Sequence, residues 1–282
     1  MRTLRVCFLV LPLLAINAHG ESILGTADSF GVLGASAVTN TNATVINGDL
    51  GVSPGTAISG FPPGIVNGTI HQTDAVAAQA QADALTGYNV LAGMSVTQTL
   101  TGQDLGGKTL IPGVYFFASS AQLTGPLTLN FEGLSGQNIV FQIGSTLTTA
   151  SSSSVLVINP GHNDNIYWQV GSSATLGTTT QFQGSIIADA SITLNTSATI
   201  DCGRAIALTG AVTMDTNTVS IGGAQQNGEP CASSPNQIPE PATIGLLAPG
   251  LLGVGVAAVE PSSFAVLGLC GAIAAFRRKL KR

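Results

Sequence analysis

Basic side chains are almost missing from the body of this chain. Of nine lysines and arginines, only Lys108 and Arg204 lie between residues 21 and 240, where they face thirteen acids. The resulting net charge near −11 over that span excludes nucleic-acid binding, which needs many Lys and Arg contacts to phosphate. Histidine is scarce too: His71 and His162 are the only ones outside the N-terminal segment. Neither is read as part of a metal-ligand set, and 162–165 reads as a polar loop. No carboxylate pair suited to glycoside hydrolysis is identifiable; Asp189, Asp201 and Asp215 are expected to face solvent on successive strands. A lyase acting on acidic sugars would need cations that are not there. The expectation is a protein that is not an enzyme and carries no metal or cofactor. Aromatics make up 5% of the chain, with one tryptophan. Trp168 and Tyr167 sit in a segment apolar on both faces, so they are assigned to the core and not to a sugar platform.

Cysteine is limited to four residues, two of which, Cys7 and Cys270, belong to the chain ends. The remaining Cys202 and Cys231 are either a disulfide that staples the 223–236 tail to the penultimate coil or two free thiols.

What the chain has in abundance is repetition. Between Ile139 and Ile221 three short segments recur in steps of about eighteen residues. The first occupies 139–143, 166–170, 185–188 and 204–207. The second occupies 146–148, 175–177, 193–195 and 213–215, and the third 155–158, 181–183, 199–201 and 218–221. Three strands per short step predict a β-solenoid, in which one repeat cannot bury its own face and must stack on the next. In the second segment Leu147, Leu176, Leu194 and Met214 are apolar and are expected to point inward. They lie 29, 18 and 20 residues apart, which predicts an eleven-residue insertion in one coil. Period-two alternation then turns Thr146, Thr148, Thr175, Thr193, Asn195 and Thr213 outward in two ranks, interrupted at Gly177 and Asp215. Ser197, Thr199, Thr218 and Ser220 form a second hydroxyl-bearing face.

Residues 24–70 read as a first set of coils with Asn-Gly corners at Asn47-Gly48 and Asn67-Gly68, where φ > 0 is needed. The period then changes. Ala77, Ala80, Ala84, Tyr88 and Leu91 define one helical stripe, predicting a helix over about 72–94 capped by Thr73 or Asp74. Gly87 weakens its interior by about 1 kcal/mol relative to Ala. The strands at 139–143, 166–170 and 185–188 are apolar on both pleat faces, as in a sheet covered on both sides, so the helix is expected along them. A further coil occupies 114–130. No linker divides 21–222, which therefore reads as one domain, followed by a flexible spacer at 223–238.

Both termini read as export signals. Residues 1–20 have Arg2 and Arg5, an apolar run and a small-residue exit, the pattern of a secretory signal peptide. Residues 239–282 carry Pro239-Glu240-Pro241, an apolar stretch split by Glu260-Pro261, and a basic cluster from Arg277 to Arg282. This resembles the PEP-CTERM sorting signal, which implies processing by an exosortase-type enzyme and a transient or retained membrane segment with its basic end in the cytoplasm. The expected location is extracellular or at the cell surface.

Several motifs together carry a second resemblance: Leu24-Gly-Thr-Ala27, Gly48-Asp-Leu-Gly-Val-Ser-Pro-Gly-Thr56, Leu105-Gly-Gly-Lys-Thr-Leu-Ile-Pro-Gly-Val-Tyr115, Ile166-Tyr-Trp-Gln-Val170 and the run from Gly203 to Val219. They are similar to the DUF3494 ice-binding proteins. The resemblance implies a mainly β fold, a discontinuous right-handed parallel β-helix with a long α-helix alongside, in which coil order is not sequence order. It also implies an ice crystal surface as partner, engaged by the flat Thr/Ser/Asn face. The chain departs from many members in lacking a capping subdomain between the first coils and the helix. The alternative from another class is a structural or adhesive protein of an exopolysaccharide matrix without ice activity.

Overall fold

The computed structural model describes residues 22–222. The expected signal peptide, spacer and C-terminal sorting segment lie outside these residues. Among the described residues no helix is long and apolar enough to cross a membrane.

Three parallel sheets of nine, seven and eight strands, called A, B and C here, enclose one apolar core. Coils pass through A, then B, then C, except that the coil of Gln98–Thr99 and Thr109–Leu110 has no strand in B. The strand order of sheet A records the path of the chain. It runs Ile70–Gln72, Asp49–Val52, Phe30–Gly34, Ala205–Ala207, Ser185–Ala188, Asn165–Val170, Asn138–Ile143, Gly113–Phe117 and Gln98–Thr99. The first described strand, Phe30–Gly34, thus lies inside the stack, and from it the chain winds two coils to one end. The helix Ala75–Ala92 carries it back along the solenoid, and the later coils return from the far end until the last one stacks on the first. An 18-residue helix is about 27 Å long, enough to cross between five and six ranks of strands. The strands it joins, Ile70–Gln72 and Gln98–Thr99, are at opposite ends of the nine-stranded sheet A, so the segments flanking the helix carry the chain over the rest.

The helix is shorter than the expected 72–94 because Asp74 is the cap that acts: its carboxylate accepts from Ala77 N at 2.8 Å. Thr73 instead has φ of 58° and donates its hydroxyl to Gly55 O. At the other end Gln142 Nε2, on sheet A, donates to the carbonyls of Leu91 and Met94 at 2.7 and 2.9 Å. The buried stripe is Ala77, Ala80, Ala84, Gly87 and Leu91, with Tyr88 only partly buried. It packs with Val140, Tyr167, Ile187 and Ile206 of sheet A and with Leu24 and Ala27 of the entering segment.

Gly87 is more than a weak point. A Cβ there would stand 2.6 Å from the backbone oxygen of Ile23. Gly87→Ala is therefore expected to lower stability by roughly 1–3 kcal/mol in urea unfolding, although alanine is the better helix former by about 1 kcal/mol.

Two further clamps fix the entering segment. Arg204, buried, donates through Nε and Nη2 to Asp28 O at 2.9 and 2.6 Å and lies 3.2 Å from the Asp28 carboxylate. Asp83 on the helix accepts from Thr26 N and Thr26 Oγ1 at 2.9 and 2.6 Å. One of the two cations of the body is thus committed to internal structure.

Inside the coils Tyr115, Phe141, Trp168 and Phe182 form a continuous aromatic stack, tightest between Phe141 and Trp168 at 3.8 Å and 7°. Trp168 is fully buried and Tyr167 nearly so, the latter under the helix. Neither is available to a sugar.

The register expected from sequence needs one correction. Leu147 stacks on Ala174, not on Leu176. The inward rank is Ala121, Leu147, Ala174, Ile192, Val212 and Val38. Leu176, Leu194 and Met214 occupy the other inward rank, in which Thr149 is the next member. The long step is accordingly 27 residues in all three sheets. The insertion is nine residues and not eleven, because matching leucine to leucine had shifted the strand by two.

Candidate binding surface

The corrected register changes the outward face of sheet B. Thr148, Thr175, Thr193, Thr213 and Thr39 lie in one unbroken rank across five strands, continued by Gln122 at one end and Ser59 at the other. Thr39 Oγ1 lies 3.3 Å from Thr213 Oγ1. At about 4.8 Å per strand, the five threonines span roughly 19 Å.

Thr146 belongs to a flanking rank with Ser120, Ser173 and Ser191, and donates its hydroxyl to Ser120 Oγ at 2.8 Å. Asn195 belongs to the opposite flank, with Gly177, Asp215 and Thr41. The two interruptions expected to break the ladder therefore fall on its rim. Asp215 is tied down there, accepting from Thr196 Oγ1, Asn42 Nδ2 and Thr216 Oγ1 at 2.6, 3.0 and 3.0 Å.

Thr39, Ser59, Gln122, Ser173 and Ser191 were not foreseen. Alternation in Ala37-Val-Thr-Asn-Thr41 was the available signal for Thr39. Its neighbour Thr213 is 174 residues away, beyond any repeat count.

Sheet B is regular and uncharged at its centre. The register shift recorded among the described pairings, between Phe30 and Val32, is in sheet A. Among the described residues, none of the exposed large apolar side chains is on a sheet B strand.

The second hydroxyl face is less even. Thr199 and Thr218 are neighbours on sheet C, but their rank continues into Val45 and Ile65, the latter 55% exposed. Ser220 lies in the next rank beside Asn47. Ser197 is at a corner with φ of 60°. Leu156 and Ile158 also stand exposed on sheet C.

Sheet A is covered by the helix along the middle of its outer face. Among the described residues no group of three or more His, Cys, Asp or Glu is placed to hold a metal ion. His162 is exposed in a corner loop, and His71 pairs with Asp74 at 2.7 Å.

The electrostatics imply a simple pH behaviour. Hydrogen bonds from Thr196, Asn42 and Thr216 hold the Asp215 carboxyl below its ordinary 3.8. Thr26 and Gln79 do the same for Asp83, and the Ala77 amide and His71 for Asp74. A depressed folded-state value stabilises above the unfolded value and is lost as pH falls through the folded one. The thermal midpoint should hold steady above about pH 5 and drop progressively below about pH 3.8, as measured by circular dichroism. No titratable group stands in the central threonine rank, so surface adsorption should be flat from about pH 5 to about pH 9.

A parallel β-helix with an uncharged rank of hydroxyls and methyls on one open sheet is the architecture of a surface-adsorbing protein. The chain belongs to the Ice-binding-like family, whose match spans residues 32–220. It is 56% identical over 242 residues to an ice-binding protein of Nostoc sp. (strain HG1), covering 84% of this chain and 87% of that one. Among solved structures, it superposes on an ice-binding protein from an Antarctic biological consortium with a TM-score of 0.67 and 49% identity, over 70% of this chain and 89% of that one. The ice-binding protein of the Antarctic ascomycete Antarctomyces psychrotrophicus gives 0.66 and 44%, over 70% and 97%.

Proposed function

We propose that this protein adsorbs to ice through the outward face of sheet B, with Thr148, Thr175, Thr193, Thr213 and Thr39 at the centre of the contact. The observation that carries the reading is the unbroken rank itself, on a sheet without charge at its centre or exposed large apolar residues.

Ice offers neither a pocket nor a net charge, so recognition has to come from a level, preorganised array. Threonine suits it because the hydroxyl hydrogen-bonds ordered water, the methyl holds water in place, and the β-branched side chain loses little rotamer freedom on docking. Thr146 and Asn195 contribute from the flanking ranks.

Export fits this reading, since ice forms outside the cell. The N-terminal segment 1–20 supplies the signal. The Pro239-Glu240-Pro241 segment directs the chain to an exosortase-type enzyme and to the cell surface.

The test is direct. The purified protein should facet a growing ice crystal and open a gap between melting and freezing temperatures. Round crystals and no gap at high concentration would overturn the reading in favour of a matrix role, with exopolysaccharide as partner.

A further inference from the structure

Sheet B meets its neighbours along two borders, and the two are built differently. Its strands are only three to five residues long, so near each border backbone groups leave the ladder and need other partners. At the border with sheet A those partners are partly exposed and the contacts long. Ser173 Oγ accepts from Ser191 N at 3.3 Å, and Ser191 Oγ from Ala211 N at 3.2 Å.

At the border with sheet C the partners are a column of buried polar side chains: Ser153, Thr149, Thr180, Asn217, Thr44 and Asn40, none more than 9% exposed. They tie each coil to the next. Ser153 Oγ donates to Leu123 O at 2.9 Å. Thr149 Oγ1 shares a hydrogen bond with Thr180 Oγ1 at 2.8 Å and accepts from Gly177 N at 2.8 Å, while Thr180 Oγ1 donates to Ala150 O at 3.1 Å. Asn217 Nδ2 donates to Asn195 O and Ala198 O, each at 2.9 Å, and Asn217 N donates to Thr44 Oγ1 at 3.0 Å. Asn40 Nδ2 donates to Gly60 O at 2.9 Å. In one coil the equivalent position falls to the fully buried Ala198.

This column stands directly behind the threonine rank. Thr149 and Asn40 are next in the chain to Thr148 and Thr39. Gly177, Asn195 and Asp215 lie two residues beyond Thr175, Thr193 and Thr213, and each is gripped by its backbone, the Asp215 amide donating to Asn217 Oδ1 at 2.6 Å. Burial alone does not call for polarity here, since Leu176, Leu194 and Met214 share the inward rank of Thr149. Hydrogen bonds are directional and hold their heavy atoms within a few tenths of an ångström, and a satisfied buried network rigidifies what it joins. Apolar contacts carry no such direction.

We propose that Thr149, Thr180 and Asn217 are positioning residues for the ice contact: acting through the backbone, they set the height and spacing of Thr148, Thr175, Thr193 and Thr213, so that the rank is level before ice is met. The inference rests on the reading of sheet B as the ice face. A crystal lattice does not adjust to the protein, so a displaced strand withdraws its threonine from the contact even when that threonine is intact.

The experiment compares Thr149→Val, Thr149→Ser and Ile186→Ala in the full chain. Ile186 is fully buried in the core on a sheet A strand, and serves as the control for lost stability alone. The melting–freezing gap per folded molecule is read at low temperature beside the thermal midpoint. Valine keeps the shape of threonine and loses the hydroxyl, so Thr149→Val should lose more than fivefold in the gap. Thr149→Ser restores the hydroxyl and should stay within twofold of the parent. Ile186→Ala should lower the midpoint at least as far as Thr149→Val and keep the gap. Thr180→Val and Thr180→Ser repeat the comparison from the other side of the hydrogen bond, and carry the test if Thr149→Val does not fold.

A gap unchanged by the loss of either hydroxyl means that the column only stabilises, and overturns the proposal. So does a serine that fails to rescue, or a loss in Ile186→Ala equal to that in the valine variants. Thr193→Tyr in the same series keeps the two ideas apart: if it adsorbs like the parent, sheet B is not the contact, and the ice-face reading fails instead.

Discussion

Thr193→Tyr is expected to remove ice adsorption almost completely, by more than tenfold in the melting–freezing gap, with no measurable change in thermal midpoint. Thr193 is the middle member of the central rank, with Thr148 and Thr175 on one side and Thr213 and Thr39 on the other. A tyrosine ring there stands several ångströms above its neighbours. A rigid lattice cannot deform around it, so every threonine in the rank is lifted from the surface at once. The fold has no comparable stake in the position: the side chain points to solvent, and surface substitutions of this kind usually fall within about 0.5 kcal/mol. Thr199→Tyr on sheet C is the control and should leave adsorption unchanged. If Thr193→Tyr adsorbs normally while Thr199→Tyr does not, the contact is on sheet C. Thr193→Ser keeps the hydroxyl and loses the methyl, and should fall between the parent and the tyrosine variant.

The fold was legible where the physics is local and periodic. Eighteen-residue steps announce stacked coils, and the change to helical spacing at Ala77, Ala80 and Ala84 announces the crossing helix. The doubly apolar strands at 139–143 and 166–170 show which sheet that helix covers. Legibility failed in two places, for two different reasons. Leu147 was matched to Leu176 because they are alike in size, whereas the core sets Leu147 against the small Ala174 and fills the leucine position of the neighbouring rank with Thr149. That threonine is buried because its hydroxyl is satisfied, by Thr180 Oγ1 at 2.8 Å and by the Gly177 amide at 2.8 Å. A polarity pattern assigns such a residue to solvent. Thr39 was missed because the chain is discontinuous along its axis: the first coil stacks on the last, and no interval in the sequence encodes that contact. Both errors bear on the site. Correcting them moves Thr148 into line with Thr175 and adds Thr39, turning a ladder interrupted at Gly177 and Asp215 into a continuous one.

Trp168→Ala should do the reverse of Thr193→Tyr, removing stability and sparing the surface. Trp168 is stacked on Phe141 at 3.8 Å, tilted against Phe182 at 4.8 Å, and donates from Nε1 to Gln183 O at 3.0 Å. Truncation opens a cavity in the middle of the aromatic stack and removes the hydrogen bond to Gln183 O. The expected cost is about 3–5 kcal/mol. That is a large part of the stability of a domain this size, and urea unfolding should show the midpoint collapse. Trp168→Phe retains most of the stack and loses the hydrogen bond, so it should cost far less. Adsorption per folded molecule should survive both changes at low temperature, because the central threonine rank is on sheet B and the tryptophan belongs to a strand of sheet A. The Trp168→Ala, Thr193→Tyr double variant should show the two losses independently, as expected for sites without shared partners. If Trp168→Ala also weakens adsorption per folded molecule, the level of the threonine rank depends on the aromatic stack behind it, and core packing sets the flatness of the face as well as its stability.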